Sequence, residues 1–237
     1  MPHKIEVVCH KGANKQAPEN TFASARLCLE WGADFVEIDV HTSKDGVPVI
    51  IHGPYLEKTT DGSGWVGSYT AEQLDRLDAG SKFSPAFAGE RIPRLDAFLG
   101  WLRGKGKVYL DVKNADPRQL ADLVAAHGFQ QDCFFWAKDR EWMQRLHQIE
   151  PRLALKVNVK SIAEAEQAKK EFDPRLVEIG VNSLTPEMVA ACHRLGMRVM
   201  VNYEEDDPAV FRRIIAGDAD LINTDYADLV LAILREG

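Results

Sequence analysis

Residues 34–41 read DFVEIDVH. Glu37, Asp39 and His41 are spaced two apart, and Phe35, Val36, Ile38 and Val40 around them are apolar. A period of two places the three polar side chains on one face of a β-strand. Apolar flanks suit a strand wrapped by helices on its outer side. Two carboxylates on an inward face repel each other and are costly to bury unless they are neutralised. A hard divalent cation is a natural partner for such a pair.

Working outward, similar apolar runs recur: Ile5–Cys9, Val108–Val112, Cys133–Trp136, Leu153–Val157, Leu176–Val181, Arg198–Val201 and Leu221–Asn223. Helical periodicity fits 20–31, 94–103, 117–127, 139–148, 162–172, 186–195, 208–216 and 227–235. Thr185-Pro186 and Asp207-Pro208 put proline in a first helical turn. Eight strands alternating with eight helices imply parallel strands joined by crossover helices. The expectation is an α/β fold, a (β/α)8 TIM barrel, with a short insertion after the second strand. An open doubly wound sheet would want a glycine-rich phosphate turn after an early strand, and the chain has no GxGxxG.

The rhythm breaks between Val40 and Val108. Lys44-Asp45-Gly46 signals a turn, Val47–His52 reads as an extra strand, and Pro48 makes it an edge. Residues 53–90 are rich in Gly, Ser, Thr and aromatics, with a short helix expected near 70–77. Long excursions of this kind are functional or disordered, and the aromatics argue for order. Residues 1–237 are read as one domain carrying an insertion at about 42–92.

Composition narrows the function. The net charge of −7 gives no reason to expect a nucleic-acid surface. Four scattered cysteines form no CxxC or Cys/His cluster, so zinc is not expected; Cys9 and Cys133 read as buried thiols. No apolar run is long enough to span a bilayer, and the first ten residues turn polar too soon for a signal peptide, so a cytoplasmic protein without a stable membrane anchor is expected. Trp101 and Trp142, on outer helices, suit either core or a homo-oligomer interface.

In barrels of this kind the reactive groups collect at the C-terminal ends of the strands. The first strand ends at His10-Lys11-Gly12, and Pro18-Glu19-Asn20-Thr21 then starts a helix. KVYLDVKN (107–114) places Asp111 and Lys113 on one face, and VPVIIH (47–52) ends at His52. Asp111 is a third candidate metal carboxylate, and Lys113 could hold an anion or simply neutralise Asp111. A cation held by carboxylates, with lysines and histidines around it, suits phosphate-ester chemistry. His41 is assigned a supporting or exposed role. His3, His127, His147 and His193 are assigned to the surface.

Taken in order, HKG, PENT, Glu37-x-Asp39, His52 after an Asp-Gly turn and GDADLINTDYADLV (217–230) resemble the glycerophosphodiester phosphodiesterases. The resemblance spans essentially the whole chain. It implies a barrel hydrolase using Mg²⁺ or Ca²⁺, with Mn²⁺ as an alternative, on a small-molecule phosphodiester. By motif, Glu37, Asp39 and Asp111 would bind the metal, His10 and His52 would be the acid/base pair, and Lys11 and Lys113 would hold phosphate.

Four positions depart from the family pattern: Lys11 for Arg, Gly53 for the Asp after the second His, Asp111 for Glu, and Val199 for a Trp. Lysine keeps the charge but loses the bidentate fork. All four are expected to touch the site, and Val199 to widen the leaving-group or glycerol pocket. They imply an altered substrate, such as a sugar phosphodiester. Two other readings stand beside this one. One is a catalytically impaired phosphodiester-binding protein. The other is a lysophospholipase D-like enzyme with an apolar rim from Trp65, Tyr69, Phe83, Phe87 and Phe135.

Overall fold

The computed structural model describes residues 5–236; His3 lies outside them. In chain order the strands are β1 (Glu6–Cys9), β2 (Phe35–Thr42), β3 (Pro48–Ile50), β4 (Lys107–Val112), β5 (Cys133–Ala137), β6 (Ala154–Asn158), β7 (Leu176–Gly180), β8 (Arg198–Asn202) and β9 (Leu221–Thr224). The helices are α1 (Phe22–Trp31), α2 (Ala71–Leu74), α3 (Leu95–Leu102), α4 (Pro117–Ala126), α5 (Arg140–Ile149), α6 (Ile162–Phe172), α7 (Pro186–Arg194), α8 (Pro208–Ala216) and α9 (Ala227–Glu236). Every strand but β3 is parallel to its neighbours, and β1 pairs with both β2 and β9, which closes an eight-stranded barrel. The chain is a (β/α)8 barrel.

β3 is the extra strand. It pairs antiparallel with the end of β2, His41 opposite Val49, outside the barrel. Pro48 is its first residue, where a missing N–H costs least. Between β2 and α3 the insertion has its own aliphatic core of Val49, Ile51, Leu56, Val66, Leu74, Ala79 and Ile92. Its helix α2 is shorter than its expected range. Trp65 and Phe83 stay largely exposed, so it is aliphatic packing, with Tyr69 against it, that orders the segment.

Period two decides the barrel interior. Val8, Phe35, Tyr109, Phe134, Ala154, Leu176, Met200 and Leu221, one from each barrel strand, form a buried cluster of their own. Tyr109 and Phe134 stack with ring centroids 4.4 Å apart, and Phe35 meets Phe134 edge-on at 5.2 Å. Residues of opposite parity, such as Val36, Ile38, Phe135 and Val199, join the separate cluster between the strands and the helices. Val199 therefore faces away from the lumen and does not shape the pocket. Phe135 belongs to no rim. Trp142 is core: its indole N–H donates to the Ala115 carbonyl at 2.6 Å. All four cysteines are buried and free.

The apolar plug makes a measurable demand. Phe134→Ala is expected to cost about 3–5 kcal/mol in urea unfolding, because lost burial and the residual cavity add. A cost below about 1 kcal/mol would show that the interior collapses around the missing ring.

Candidate active site

Two residues beyond the plug, the strands present His10, Glu37, Asp111, Trp136, Lys156, Glu178, Asn202 and Asn223. The apolar layer is thus followed by a layer of polar and aromatic groups at the C-terminal mouth. Glu37 and Asp39 from β2 and Asp111 from β4 each offer an oxygen within 4.8 Å of the others. All three side chains are buried, and the register sets Asp39 opposite Asp111.

Asp39 is clamped from the first loop. Asn20 of PENT donates its side-chain N–H to Asp39 Oδ2 at 2.7 Å and accepts the Asp39 backbone N–H at 2.9 Å. Asn20 takes a left-handed backbone (φ 62°), which asparagine tolerates better than most residues. Thr21 then caps α1, its hydroxyl accepting from the Ser24 N–H. Gly12 is required twice over: its φ is +77°, and a Cβ there would fall 2.8 Å from Ser24 Cβ. Lys11 is also left-handed (φ 56°), an uncommon conformation for a residue with a long side chain.

Lys113 lies between two of the carboxylates, its ammonium 2.9 Å from Asp39 Oδ1 and 2.7 Å from Asp111 Oδ2. Asp111 Oδ1 is nonetheless buried without a hydrogen bond. Glu37 Oε2 accepts from Asn223 at 3.1 Å. Burial raises the Glu37 carboxyl, His10 opposes, Asp39 and Asp111 add to it, and the result is about 7. Burial also raises Asp111, against the pull of Lys113. Asp39 goes the other way: Lys113, His52 and Asn20 outweigh burial and hold it low.

His10 was expected at this mouth; its partner was not. Asp225, just past β9, accepts from His10 Nδ1 at 2.7 Å, pairs with Lys15 at 2.8 Å and accepts from Asn14. These bonds outweigh burial and hold Asp225 well below the usual carboxylate range. Burial lowers His10, but Glu37 and Asp225 more than reverse this and raise it to about 9. A second group with metal-ligand spacing, His10, Glu204 and Asp225, is therefore already neutralised by protein donors.

His52 sits across the mouth. Its Nδ1 lies 3.1 Å from Lys58 Nζ and 3.7 Å from Glu19 Oε1, and Glu19 pairs with Lys58 and His52. His41 is buried, not exposed, and its Nε2 donates to the His52 carbonyl at 3.3 Å, which makes it a support. The positive charge of the half-buried Lys11 opposes protonation of both His10 and His52. On the far wall, buried Lys156 donates to Asn158 at 2.8 Å and Glu178 at 3.0 Å, with the Trp136 ring 4.7 Å away. A cleft of about 730 Å³ opens beside the carboxylates, bordered by His41, His52, Lys113, Trp136, Lys138 and Trp142.

Asp225, Asn20, Asn223, Lys156 and Glu178 carry no assignment in the sequence reading. Their signal was present: each of the last four is a polar residue in a motif or in an apolar run, and parity alone places Lys156 and Glu178 inside.

A closed α/β barrel with buried carboxylates and two histidines at its C-terminal mouth is the frame of a hydrolase that works on charged esters. Residues 10–229 match the glycerophosphoryl diester phosphodiesterase family, and the chain belongs to it. It is accordingly a phosphoric diester hydrolase. The chain is 39% identical to the glycerophosphodiester phosphodiesterase of Agrobacterium tumefaciens, whose crystal structure superposes with a TM-score of 0.93 over 97% of this chain and all of that one. An Oleispira antarctica phosphodiesterase solved with its product sn-glycerol-3-phosphate is 26% identical, with a TM-score of 0.87 over 97% and 96% of the two chains. The glycerophosphodiester phosphodiesterase of Caldanaerobacter subterraneus is 28% identical over 99% of both sequences. Among the described residues, no helix is long and apolar enough to cross a membrane.

The His10–Asp225 pair sets a pH dependence. A histidine raised above its unfolded value of about 6.5 adds stability below that pH, and the contribution is lost as pH rises through about 9. In chelator, the unfolding free energy of the wild type is expected to fall by about 1–3 kcal/mol relative to Asp225→Asn between these limits. Parallel stability–pH curves for the two proteins would remove the pair from the account.

Proposed function

We propose that the chain is a metal-dependent phosphodiesterase that cleaves a glycerophosphodiester, or a related small diester such as a sugar phosphodiester, to a phosphomonoester and an alcohol. The observation that carries this reading is the set of three buried carboxylates, Glu37, Asp39 and Asp111, lying between His10 and His52. Asp111 Oδ1 has no hydrogen bond, and one nearby ammonium does not balance three carboxylates. An all-oxygen donor set of this kind fits Mg²⁺ or Ca²⁺, with Mn²⁺ next. Glu37, Asp39 and Asp111 would hold the ion. When bound, it supplies positive charge beside the phosphate oxygens.

The chain's own groups do the rest. Lys11 and Lys113 hold the phosphodiester and stabilise charge that builds on its oxygens. One of His10 and His52 takes a proton from a vicinal substrate hydroxyl or a water, and the other gives one to the departing alkoxide. With a vicinal hydroxyl, attack passes through a cyclic phosphate that water then opens. Asp225 fixes the His10 ring, and Asn20 fixes Asp39. The cleft past His52 and Trp136 takes one alcohol arm of the diester. The product named for the Oleispira antarctica relative supports the glycerol phosphate half of this assignment. The insertion belongs to the same functional domain, since it brings Lys58 to His52.

Glycerophosphocholine, glycerophosphoethanolamine and bis(p-nitrophenyl) phosphate, assayed with Mg²⁺, Ca²⁺ or Mn²⁺, provide the test. At least one is expected to turn over, with activity lost in EDTA and restored by metal. His10→Ala and His52→Ala should each lower kcat by about 10²–10⁴. No turnover of any diester, or metal-independent turnover indifferent to both changes, sinks the proposal.

A further inference from the structure

The two histidines are held in opposite ways. His10 Nδ1 faces a carboxylate, Asp225, at 2.7 Å. His52 Nδ1 faces an ammonium, Lys58, at 3.1 Å. An ammonium only donates, so Nδ1 of His52 carries the lone pair in this arrangement and the ring proton sits on Nε2. Nδ1 is turned toward Glu19 and Lys58, which leaves Nε2 for substrate. A neutral ring that exchanges protons through Nε2 needs its own proton on Nδ1. As a base, Nε2 must begin with a lone pair; as an acid, it must end with one. The Lys58-bound form does neither.

An acceptor for Nδ1–H is close by. Glu19 Oε1 lies 3.7 Å from His52 Nδ1 and 3.6 Å from Lys58 Nζ, and it is buried without a hydrogen bond. Gly53, the residue after His52, has no carboxylate to serve instead. We propose that Glu19 is the positioning residue of His52, accepting its Nδ1–H in the working state, and that Lys58 competes for the same nitrogen. The insertion then controls which ring nitrogen carries the proton. This rests on His52 being one of the acid/base pair.

The other groups around the ring fit that balance. Lys11 approaches from the turn after β1, Asp39 and His41 from β2, Glu19 from the entry to α1, and Lys58 from the insertion. Burial lowers the proton affinity of His52, Asp39 and Glu19 oppose this, and Lys11 and Lys58 add to it, so the ring is held below its ordinary value. When His52 takes up a proton, Nδ1–H turns to Glu19 and Lys58 is released from the ring; when it gives one up from Nε2, the proton on Nδ1 stays with Glu19. No bond other than N–H changes in this exchange.

NMR titration of the His52 ring in the full-length chain tests the assignment without substrate. Glu19→Gln should lower its pKa and leave the neutral ring protonated on Nε2. Lys58→Met should raise it and move the neutral ring toward the Nδ1–H tautomer, and Lys58→Arg should restore the wild-type value. Shifts of about half a pH unit or more are expected. In a diester assay, Glu19→Gln should lower kcat about tenfold or more with little change in KM. Shifts of the same sign in Glu19→Gln and Lys58→Met, or an unchanged tautomer in both, overturn the proposal. If no diester is cleaved, the proposed activity falls, while the titration still decides the role of Glu19.

Discussion

Glu37, Asp39 and Asp111 are buried together on top of a plug that is apolar but for the Tyr109 hydroxyl, and the arrangement around them follows from the cost of doing so. A carboxylate out of water is expensive unless donors and cations surround it. Each one here has a separate answer. Asn20, from a loop outside the sheet, donates to the Asp39 carboxylate and accepts the Asp39 backbone N–H. Asn223 reaches Glu37 from β9. Lys113, from the same strand as Asp111, lies against both Asp111 and Asp39. Donors from a loop, from β9 and from the end of β4 are therefore needed around one cluster, and Asp111 Oδ1 still lacks one. A scaffold that only had to be stable would place apolar side chains at these positions.

The same accounting explains why the two histidines differ. His10 stands between Glu37 and Asp225, two negative groups, and so holds its proton tightly. His52 is held low by burial, with Lys11 and Lys58 adding to it. Their environments push their proton affinities apart, which is the condition for one group to give a proton while another takes one. A bound cation and a phosphodiester would alter both values but not the identity of the neighbours.

The barrel was legible in the sequence because it rests on periodicity. DFVEIDVH and KVYLDVKN show both faces of a strand at once, and each of the eight barrel runs became a barrel strand. The first half of the site was legible for the same reason, since its charges stand at strand ends next to turn signals. Val199 went the other way. It was placed by comparison with a family pattern, whereas parity with Met200 sends it outward among the helices. Asp225 was missed because the partner of His10 lies at the opposite end of the chain, and only closure of β1 against β9 brings them together. The His52–Lys58–Glu19 contact depends on how the insertion folds back, which no local pattern encodes.

Parity also explains why the site occupies one side of the mouth. The polar layer runs round the whole barrel, yet its far half is internally balanced. Lys156 is spent on Glu178 and Asn158, and its charge lies against the faces of Trp136 and Tyr109. An ammonium held by a carboxylate, an amide and two ring faces has little left for a ligand. On the near side three buried carboxylates share one ammonium, Lys113, while Lys58 stands across the mouth beside His52. A phosphodiester carries one negative charge and needs a cationic surface, while a divalent ion needs carboxylates. Among the described residues, the near side brings carboxylates and lysines together, in keeping with the proposed pairing of a cation and an anion there.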